Sequence, residues 1–215
     1  MLAIKILRLK VTETVTSIDI DTNPCELQDI LSPFVNKNYV IGNININSLP
    51  SKFLELKNWI ESFDIFSIQE TKVDSTFPNS QFYIKDYNMY RRDRKKGGGS
   101  ILLYIHNSIP SYQRKIKCVE VEAILMDIQL GLQHFSLLSV YKPPSVKNEI
   151  FAKEMCALLD LAISYRPDVL CMGDLNCNLL HPRDNGKQGR ELLDICDIYD
   201  LHNLIKEPTR ISSDK

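Results

Sequence analysis

This chain is predicted to have an α/β fold, because strands and helices follow each other in mixed order, beginning with a strand–helix–strand unit. Residues 39–49 alternate apolar side chains with asparagines, which is typical of a half-buried strand. Apolar residues then recur at helical spacing as far as residue 63, and residues 64–71 form a second short apolar strand. Ser48 or Ser51 is the expected helix cap. The two strands of such a unit can lie parallel, with their carboxyl ends together.

The rest of the chain continues this mixture without an internal repeat. The further predicted elements are a strand at 100–105, two paired antiparallel strands within 116–130, a strand at 135–140 in the same sheet, a helix at 151–162, a strand at 168–172 and a helix at 189–200.

Residues 1–38 differ in composition from the remainder of the chain. They are rich in Thr, Ile, Asp and Asn and carry no turn residues that tie them to the first strand of the unit. Ile4, Ile6 and Leu9 fit a single strand. We predict a poorly ordered leader at 1–38 and a domain at 39–215.

Residues 168–172 are an apolar run that predicts a buried strand, and polar side chains follow it, because residues 173–176 read Gly-Asp-Leu-Asn. Asp174 and Asn176 are two residues apart, so on an extended chain their side chains point the same way. A carboxylate and an amide held in this way can bind a hydrated divalent cation and a phosphate oxygen together. Taken alone, the same tetrapeptide is equally well a simple turn.

Two upstream strands end in similar residues. The first carries three asparagines on one face, including Asn45, and Glu70 follows the second. Asparagine is unfavourable in strands, so the three asparagines on one face require an explanation. They indicate either a functional site or a solvated sheet edge. A lone Glu at a strand end is likewise usually surface charge. Asn45, Glu70, Asp174 and Asn176 are nevertheless expected at one rim, because functional residues collect at the carboxyl ends of strands.

Four motifs occur in a characteristic order: Asn-Ile-Asn-Ser-Leu (45–49), Gln-Glu-Thr (69–71), Ser-Val-Tyr-Lys-Pro-Pro (139–144) and Gly-Asp-Leu-Asn (173–176). In this order and spacing the chain resembles the endonuclease/exonuclease/phosphatase superfamily, and within it the apurinic-endonuclease-like domain of non-LTR retrotransposons. The sequences between the motifs resemble the same elements. The resemblance implies a two-sheet α/β sandwich flanked by helices, which is the DNase-I-like fold.

The resemblance also implies a role for each matching residue. Glu70 matches the carboxylate that binds the catalytic Mg²⁺, and Asn45 matches the asparagine that supports metal and phosphate. Tyr141 matches the tyrosine that contacts the scissile phosphate. Asp174 matches the acid that orients or deprotonates the attacking water, and Asn176 the amide that stabilises the pentacovalent phosphorane. The implied cofactor is Mg²⁺, with Mn²⁺ as the alternative; Mg²⁺ keeps several waters, so one or two carboxylates suffice.

The chain departs from the family pattern at its carboxyl end. Members continue with a strand that ends in Asp-His and with a terminal Ser-Asp-His motif, whose Asp–His couple acts on the phosphate. This sequence ends in Ser-Asp-Lys and has neither motif. None of its histidines matches a catalytic position, and His181 is the one candidate for a substitute. The four histidines are His106, His134, His181 and His202. We therefore expect a domain that is incomplete at the carboxyl end and an impaired site.

Bulk composition narrows the binding partners and the cellular compartment that we expect for this chain. With 215 residues, 44% of them hydrophobic and 25% charged, the chain can bury a sizeable core. A net charge of −1 and a pI near 6.4 lack the basic field typical of nucleic-acid binding, but they are compatible with a local basic patch. The six cysteines form no CxxC pair and no apolar stretch is long enough to span a membrane. We expect an intracellular protein, nuclear or cytoplasmic.

A basic run supplies such a local patch, since Arg91, Arg92, Arg94, Lys95 and Lys96 precede three glycines. Such a run is often only a solvated loop. In the resembling domains, however, this region faces DNA, where Lys and Arg neutralise phosphates without reading the base sequence. We predict a DNA-binding loop in a monomer, with a polyprotein that includes a reverse transcriptase as its expected context.

Three functions fit the sequence. The first is Mg²⁺-dependent phosphodiester hydrolysis that nicks one DNA strand and leaves a 3′-hydroxyl, impaired here by the missing motifs. The second is a catalytically dead remnant that at most binds metal or nucleic acid. The third is a superfamily phosphatase acting on inositol phosphates or sphingolipids, which the retrotransposon-like segments and the basic run disfavour.

Overall fold

A computed structural model describes residues 3–9, 14–19, 39–94, 98–130, 133–177 and 186–205, with backbone alone for the first two segments and for 186–188. The chain divides into two compact units. Unit 1 comprises the residues up to Ile109 with those from Leu204 onward, and unit 2 comprises Pro110–Asn203. The predicted domain boundaries at 38 and 39 stay a prediction.

Unit 1 is built on a mixed six-stranded sheet with the order β2-β1-β3-β4-β6-β5. Its strands are β1 (Ala3–Leu9), β2 (Thr14–Asp19), β3 (Tyr39–Asn45), β4 (Ile65–Gln69), β5 (Tyr87–Arg92) and β6 (Ile101–His106). β3 and β4 are parallel neighbours with Asn45 opposite Gln69, and the other neighbouring strands of this sheet are antiparallel. The predicted parallel pair is confirmed.

Helix α1 (Phe53–Ile60) makes the connection between the parallel strands β3 and β4. Its apolar side packs into the core of unit 1, as its spacing predicts; the buried members include Ile44, Phe53, Leu56, Ile60, Phe66, Leu102 and Tyr104. The predicted serine caps are wrong, because Lys52 is the N-cap residue and makes no side-chain cap hydrogen bond. The Lys52 Nζ instead donates to the Ile46 carbonyl at 2.6 Å. Ser48 has left-handed backbone (φ 92°) ahead of the helix.

Two stretches of the predicted leader form strands. β1 pairs antiparallel with β3 on one side and with β2 on the other, so both extend the sheet of unit 1. β1 contains Ile4, Ile6 and Leu9, where the sequence predicts a strand, whereas β2 has no counterpart in the prediction. The other residues before Tyr39 lie outside the described residues.

Unit 2 is built on a four-stranded sheet with the order β10-β9-β8-β7. Its strands are β7 (Ser111–Arg114), β8 (Glu122–Leu130), β9 (Gln133–Tyr141) and β10 (Val169–Asp174), and its helices are α2 (Asn148–Tyr165) and α3 (Gly186–Ile198). β9 and β10 are parallel, with Asp174 opposite Tyr141. The helix α2 connects them, so unit 2 repeats the strand–helix–strand arrangement of unit 1.

The predicted antiparallel pair within 116–130 is wrong, since this stretch contains one strand, β8, whose partners are β7 and β9. The amides of Val119, Glu120 and Val121 donate to the carboxylate of Glu154 on α2, at 2.8 to 3.3 Å. These amides therefore cannot also join a sheet ladder, and Val119 is 87% exposed. β10 also differs from the prediction of a buried strand, because it lies at a sheet edge and is mostly half-buried.

Gly42 on β3 provides a test of the packing between the sheet and α1. A Cβ added there would lie 2.4 Å from Cδ2 of Phe66 and 2.7 Å from Cε1 of Phe63. Gly42→Ala should therefore lower the free energy of unfolding by about 1–3 kcal/mol, since close-packed rings must move. Urea unfolding measures this, with the exposed Ser75→Ala as a control expected within about 0.5 kcal/mol of wild type. A Gly42→Ala chain as stable as wild type would contradict this packing.

Candidate active site

Asn45 and Glu70 end neighbouring strands of unit 1, and both are half-buried. Asn45 is the last residue of β3, and its Oδ1 accepts a 3.1 Å hydrogen bond from the Asn47 amide. Glu70 directly follows β4, and its carbonyl accepts from the Ser48 amide at 2.8 Å. The two strand ends are thus joined by hydrogen bonds beyond the ladder. Unit 1 brings both predicted metal-binding side chains to one edge of its sheet.

The backbone around these two strand ends is strained. Left-handed backbone at a residue other than glycine costs on the order of 1–3 kcal/mol and persists where the surrounding structure enforces it, often at functional sites. Four such residues follow β3 and β4: Asn47 (φ 45°), Ser48 (φ 92°), Glu70 (φ 52°) and Lys72 (φ 54°). The Lys72 Nζ donates to the Asn47 Oδ1 at 2.6 Å, which bridges the two loops.

Buried polar side chains lead along β3 and β4 to the same edge. Asn43 is 4% exposed, and Ser67 lies opposite it on β4. Gln69 is also fully buried, and its Nε2 donates to Ser67 Oγ at 2.8 Å. The solvated-edge alternative for the asparagine row is therefore wrong at Asn43. Burying amides costs free energy, so this row indicates a polar environment that continues inward from the strand ends.

Unit 2 brings Tyr141, Asp174 and Asn176 to the carboxyl end of its parallel pair. The Asp174 Oδ1 accepts a 3.0 Å hydrogen bond from the Asn176 amide, and Asn176 has left-handed backbone (φ 48°). The chain therefore turns after Asp174 instead of continuing as an extended strand, and the common direction of the two side chains stays a prediction. The turn alternative and the site alternative are compatible here, because the turn bonds the Asp174 carboxylate to the backbone amide of Asn176.

The parallel pairing beneath Asp174 depends on a glycine. Gly173 has φ 141°, and a Cβ there would lie 1.7 Å from the Val140 carbonyl oxygen. Only a residue without a side chain permits β10 to lie this close to β9. Tyr141, opposite Asp174, is 4% exposed, so most of its ring is enclosed.

Lys142 is the residue that sequence reasoning overlooked, although it belongs to the Tyr-Lys-Pro-Pro motif. It is 2% exposed, which is rare for lysine. Its amide donates to the Asp174 carbonyl at 2.9 Å, and its own carbonyl accepts from the Asn176 Nδ2 at 2.8 Å. The sequence signal for it was a charged residue placed directly after an apolar strand. Lys142 thus joins β9 to Asp174 and Asn176.

Arg91 requires a correction as a DNA-binding residue. Its guanidinium donates to both carboxylate oxygens of Asp93, to the carbonyls of Phe77 and Asp74, and to the Asn79 Oδ1, at 2.7 to 3.0 Å. A guanidinium has five N–H donors, and these five bonds use all of them. Its side chain is 12% exposed. Arg91 is therefore a structural link between β5 and the preceding loop.

The remaining basic residues fall into two groups. Arg92 and Arg94 are exposed. Lys95 and Lys96 lie outside the described residues. The segment after the glycines is joined to the Glu70 loop, because the Thr71 amide donates to the Ser100 carbonyl at 3.3 Å and the Lys72 amide to the Gly99 carbonyl at 3.0 Å. The Arg94 amide donates to the Ser100 Oγ at 3.2 Å, so within unit 1 the basic run adjoins the loop that carries Glu70.

The residues of unit 1 fit a magnesium ion in their chemistry. Asn45 and Glu70 offer an amide and a carboxylate oxygen, and Mg²⁺ is commonly held by one or two carboxylates with several waters. In the parts of the chain that the structure covers, three or more His, Cys, Asp or Glu side chains nowhere gather as a metal-binding group. His106 contacts Ser108 at 2.7 Å and His202 lies 3.9 Å from Asp200, while His181 lies outside the described residues.

No helix among the described segments is both long and apolar enough to cross a membrane.

Comparison with known proteins places this arrangement in context. A protein-family sequence model described as "Endonuclease/Exonuclease/phosphatase family" matches residues 42–212. No curated protein matches the sequence. The endonuclease domain of TRAS1, a telomere-specific non-LTR retrotransposon, is similar in structure at 14% identity, with a TM-score of 0.59, over 76% of this chain and 73% of that one.

A 3′-5′ exonuclease (NExo) from Neisseria meningitidis is similar at 13% identity, with a TM-score of 0.53, over 72% of this chain and 69% of that one. The structure of a 3′ phosphatase NExo from Neisseria bound to a product DNA hairpin is similar at 14% identity, with a TM-score of 0.50, over 72% and 68%. Identities this low indicate a shared fold. The structural similarity confirms the predicted fold class, α/β with two sheets flanked by helices, and the family model over residues 42–212 confirms the predicted family.

Arg91→Ala should lower the free energy of unfolding by about 1–3 kcal/mol, because it leaves partly buried carbonyls without their donors. The neighbouring Arg92→Ala is the matched control, since Arg92 is exposed and should change stability by less than about 0.5 kcal/mol. Urea unfolding of both variants measures the difference. Equal stability of the two variants would show that the contacts of Arg91 contribute nothing to the fold.

Proposed function

The chain belongs to the endonuclease/exonuclease/phosphatase family, and from this premise we propose that it is a Mg²⁺-dependent nuclease that nicks one strand of DNA. The observation that carries the proposal is the pair of polar strand ends, one in each unit. Asn45 and Glu70 end the parallel pair of unit 1, and Asp174 and Asn176 end the parallel pair of unit 2. These are the residue types that phosphodiester hydrolysis needs, at the ends of strands where functional residues collect.

In this proposal, Glu70 and Asn45 hold the metal ion. When bound, Mg²⁺ polarises the phosphoryl oxygen and stabilises the leaving oxyanion. Hydrogen bonds join the loops after β3 and β4 to each other in the absence of substrate. Such preorganisation lowers the free-energy cost of binding metal and phosphate, because the loops need not be ordered at that moment.

Asp174 orients and deprotonates the attacking water, and Asn176 stabilises the charge that develops on the phosphoryl group. The water oxygen bonds to phosphorus while the bond to the 3′ oxygen breaks, which leaves a 3′-hydroxyl and a 5′-phosphate. Asn176 donates one amide N–H to the Lys142 carbonyl, and this fixes the orientation of its side chain. Tyr141, at the end of β9, is proposed to contact the scissile phosphate through its phenol.

DNA is the proposed substrate because the basic run adjoins the Glu70 loop within unit 1. Arg92 and Arg94, rather than Arg91, are the proposed phosphate contacts, together with Lys95 and Lys96. The similar structures support this choice of substrate: one is the endonuclease domain of a retrotransposon and one is bound to a DNA hairpin. Action as a monomer, an intracellular location and a shared polyprotein with a reverse transcriptase stay predictions from the sequence.

Nicking of supercoiled plasmid with and without Mg²⁺ tests the proposal. Glu70→Gln and Asp174→Asn should each lower the rate on the order of 10²–10⁴-fold, since each removes one member of the catalytic set. The double variant should be no slower than the slower single variant, because residues that serve one step do not act additively. Glu55→Gln, an exposed change of the same kind on α1, is the matched control and should leave the rate unchanged.

The outcomes separate the alternatives. Loss of nicking in both single variants, with non-additivity, supports one reaction that needs Glu70 and Asp174. No Mg²⁺-dependent nicking by the 215-residue chain would favour the dead remnant, and turnover of a phosphomonoester alone would favour the phosphatase. The expected impairment stays a prediction; robust nicking by this chain would contradict it.

Arg92→Ala and Arg94→Ala should weaken DNA binding equally across base sequences and flatten its salt dependence. Each lost phosphate contact should reduce the slope of log K against log salt by about 0.9, through reduced counterion release. Binding titrations between low and physiological salt measure this, with Lys85→Ala as an exposed control in the same unit. A salt slope unchanged in both arginine variants would show that the run is only a solvated loop.

A further inference from the structure

Two arginines of unit 2 share one buried carboxylate. Arg114 ends β7, Arg166 follows α2, and Asp127 on β8 is 9% exposed. The Arg114 Nη2 donates to the Asp127 Oδ2 at 2.6 Å, and the Arg166 Nε donates to the Asp127 Oδ1 at 2.9 Å. Two positive charges and one negative charge leave an excess of one positive charge. It lies at the surface, because the Arg114 and Arg166 side chains are 29% and 38% exposed.

Both guanidiniums keep N–H donors beyond those that Asp127 uses. A guanidinium has five N–H donors. Among the described residues, Arg166 uses one for Asp127 and one for the Tyr165 carbonyl at 3.3 Å, and Arg114 uses one for Asp127. The Arg114 Nε is buried there without a hydrogen-bond partner, a cost that an ion pair serving stability alone would avoid. The other donors suit a phosphate, whose oxygens guanidiniums bind in pairs.

An exposed tyrosine ring lies beside these donors. The Arg114 Cζ lies 4.8 Å from the ring centroid of Tyr112 and 4.3 Å from that of Tyr165. Tyr112 is two residues before Arg114 on β7, so both side chains lie on the same face of the sheet. Tyr112 is 62% exposed, whereas Tyr165 is half-buried. Exposed aromatic rings next to basic groups are the surfaces on which unpaired bases stack in single-stranded nucleic acid.

This surface is separate from the candidate site residues of unit 2. Asp127 pairs with Ser136 on β9, which is five residues before Tyr141. At about 3.3 Å per residue, the two positions are about 17 Å apart along the strand. Asp127 therefore lies towards the amino ends of the parallel strands, whereas Asp174 lies at their carboxyl ends. A ligand on this surface would contact residues that take no part in the proposed hydrolysis.

We propose that Tyr112, Arg114 and Arg166 form a second binding surface, which takes single-stranded nucleic acid. The two guanidiniums, held by Asp127, bind backbone phosphates, and a base stacks on the Tyr112 ring. Phosphate contacts and stacking both tolerate any base sequence. An acidic peptide would use the guanidiniums and leave the exposed ring without a role, whereas a nucleic acid strand uses all three side chains. Binding needs neither metal nor hydrolysis, so this inference goes beyond the proposed nuclease function.

Fluorescence anisotropy in EDTA at low salt measures the affinity for a labelled oligothymidylate of about ten nucleotides, a length within the usual site size of single-strand binders. The parent chain carries Arg92→Ala and Arg94→Ala, which reduces binding at the basic run of unit 1. Tyr112→Ala should weaken binding about 5–150-fold, through the loss of one stacked base. Tyr112→Phe keeps the ring and should keep the affinity. Tyr83→Ala is the matched control, because Tyr83 in unit 1 is 63% exposed.

Arg166→Met tests the phosphate contact in the same parent chain. It should weaken binding and reduce the slope of log K against log salt by about 0.7, the value for one lost contact to a single strand. Asp127 keeps Arg114 as its partner in this variant, so the fold should persist. Lys153→Met, an exposed change on α2, is the control for lost charge. Photocrosslinking of an oligothymidylate that carries one 5-iodouracil, followed by peptide mass spectrometry, should attach the base to Tyr112.

The inference requires both losses of affinity, so the absence of either one overturns it. Weaker binding in Arg166→Met alone would indicate an anion site without base stacking. Crosslinks that form only at other residues overturn the inference, and so does polyglutamate that binds as tightly as the oligothymidylate. A duplex whose affinity falls as much in Tyr112→Ala would show that the ring takes no unpaired base. Metal is absent throughout, so none of these results bears on the proposed nuclease function.

Discussion

Parallel pairing of β3 with β4 and of β9 with β10 is the constraint on which the rest of the structure depends. Parallel strands cannot be joined by a tight turn, so each pair requires a crossover, and α1 and α2 supply it. The crossover also brings the two carboxyl ends of each pair to the same edge. Polar residues just after the two strands of a pair therefore become neighbours in space, although they are far apart in the sequence. Gly42 and Gly173 permit this pairing where a side chain would collide with Phe66 or with the Val140 carbonyl.

The strand ends combine several features that are unfavourable for stability alone. Left-handed backbone at Glu70 and Asn176, a buried amide at Asn43 and a buried ammonium at Lys142 each cost free energy. They persist because apolar cores on the helix side of each sheet stabilise the surrounding strands. Costly features near the ends of strands, present here in each unit taken by itself, are typical of places where function outweighs stability. In this chain Glu70, Lys142 and Asn176 lie within the motifs on which the resemblance to the family rests.

The basic run shows how adjacent residues of one kind acquire different roles. Arg91 lies on the face of β5 that includes Tyr87 and Met89, and its donors are used by the preceding loop. Arg92 is the next residue in the strand and therefore points to the opposite face, where it is exposed. Strand alternation thus divides one charge run into a structural part and a part suited to phosphate contacts. A count of basic residues does not reveal this division.

The sequence by itself determined the class of fold, the parallel unit from β3 to β4, the positions of the main helices and the residues at the strand ends. These features depend on local periodicity and on motif order, which the sequence carries directly. Tertiary structure decided the remainder. The 116–121 stretch is not a strand because Glu154, distant in sequence, binds its amides. Lys52 rather than a serine is the N-cap residue of α1, Arg91 is structural, and Lys142 is buried with its backbone bonded to Asp174 and Asn176. The outcomes at 116–121, at Arg91 and at Lys142 depend on partners outside the local segment, and periodicity identifies the apolar face of a segment without naming what its polar groups will meet.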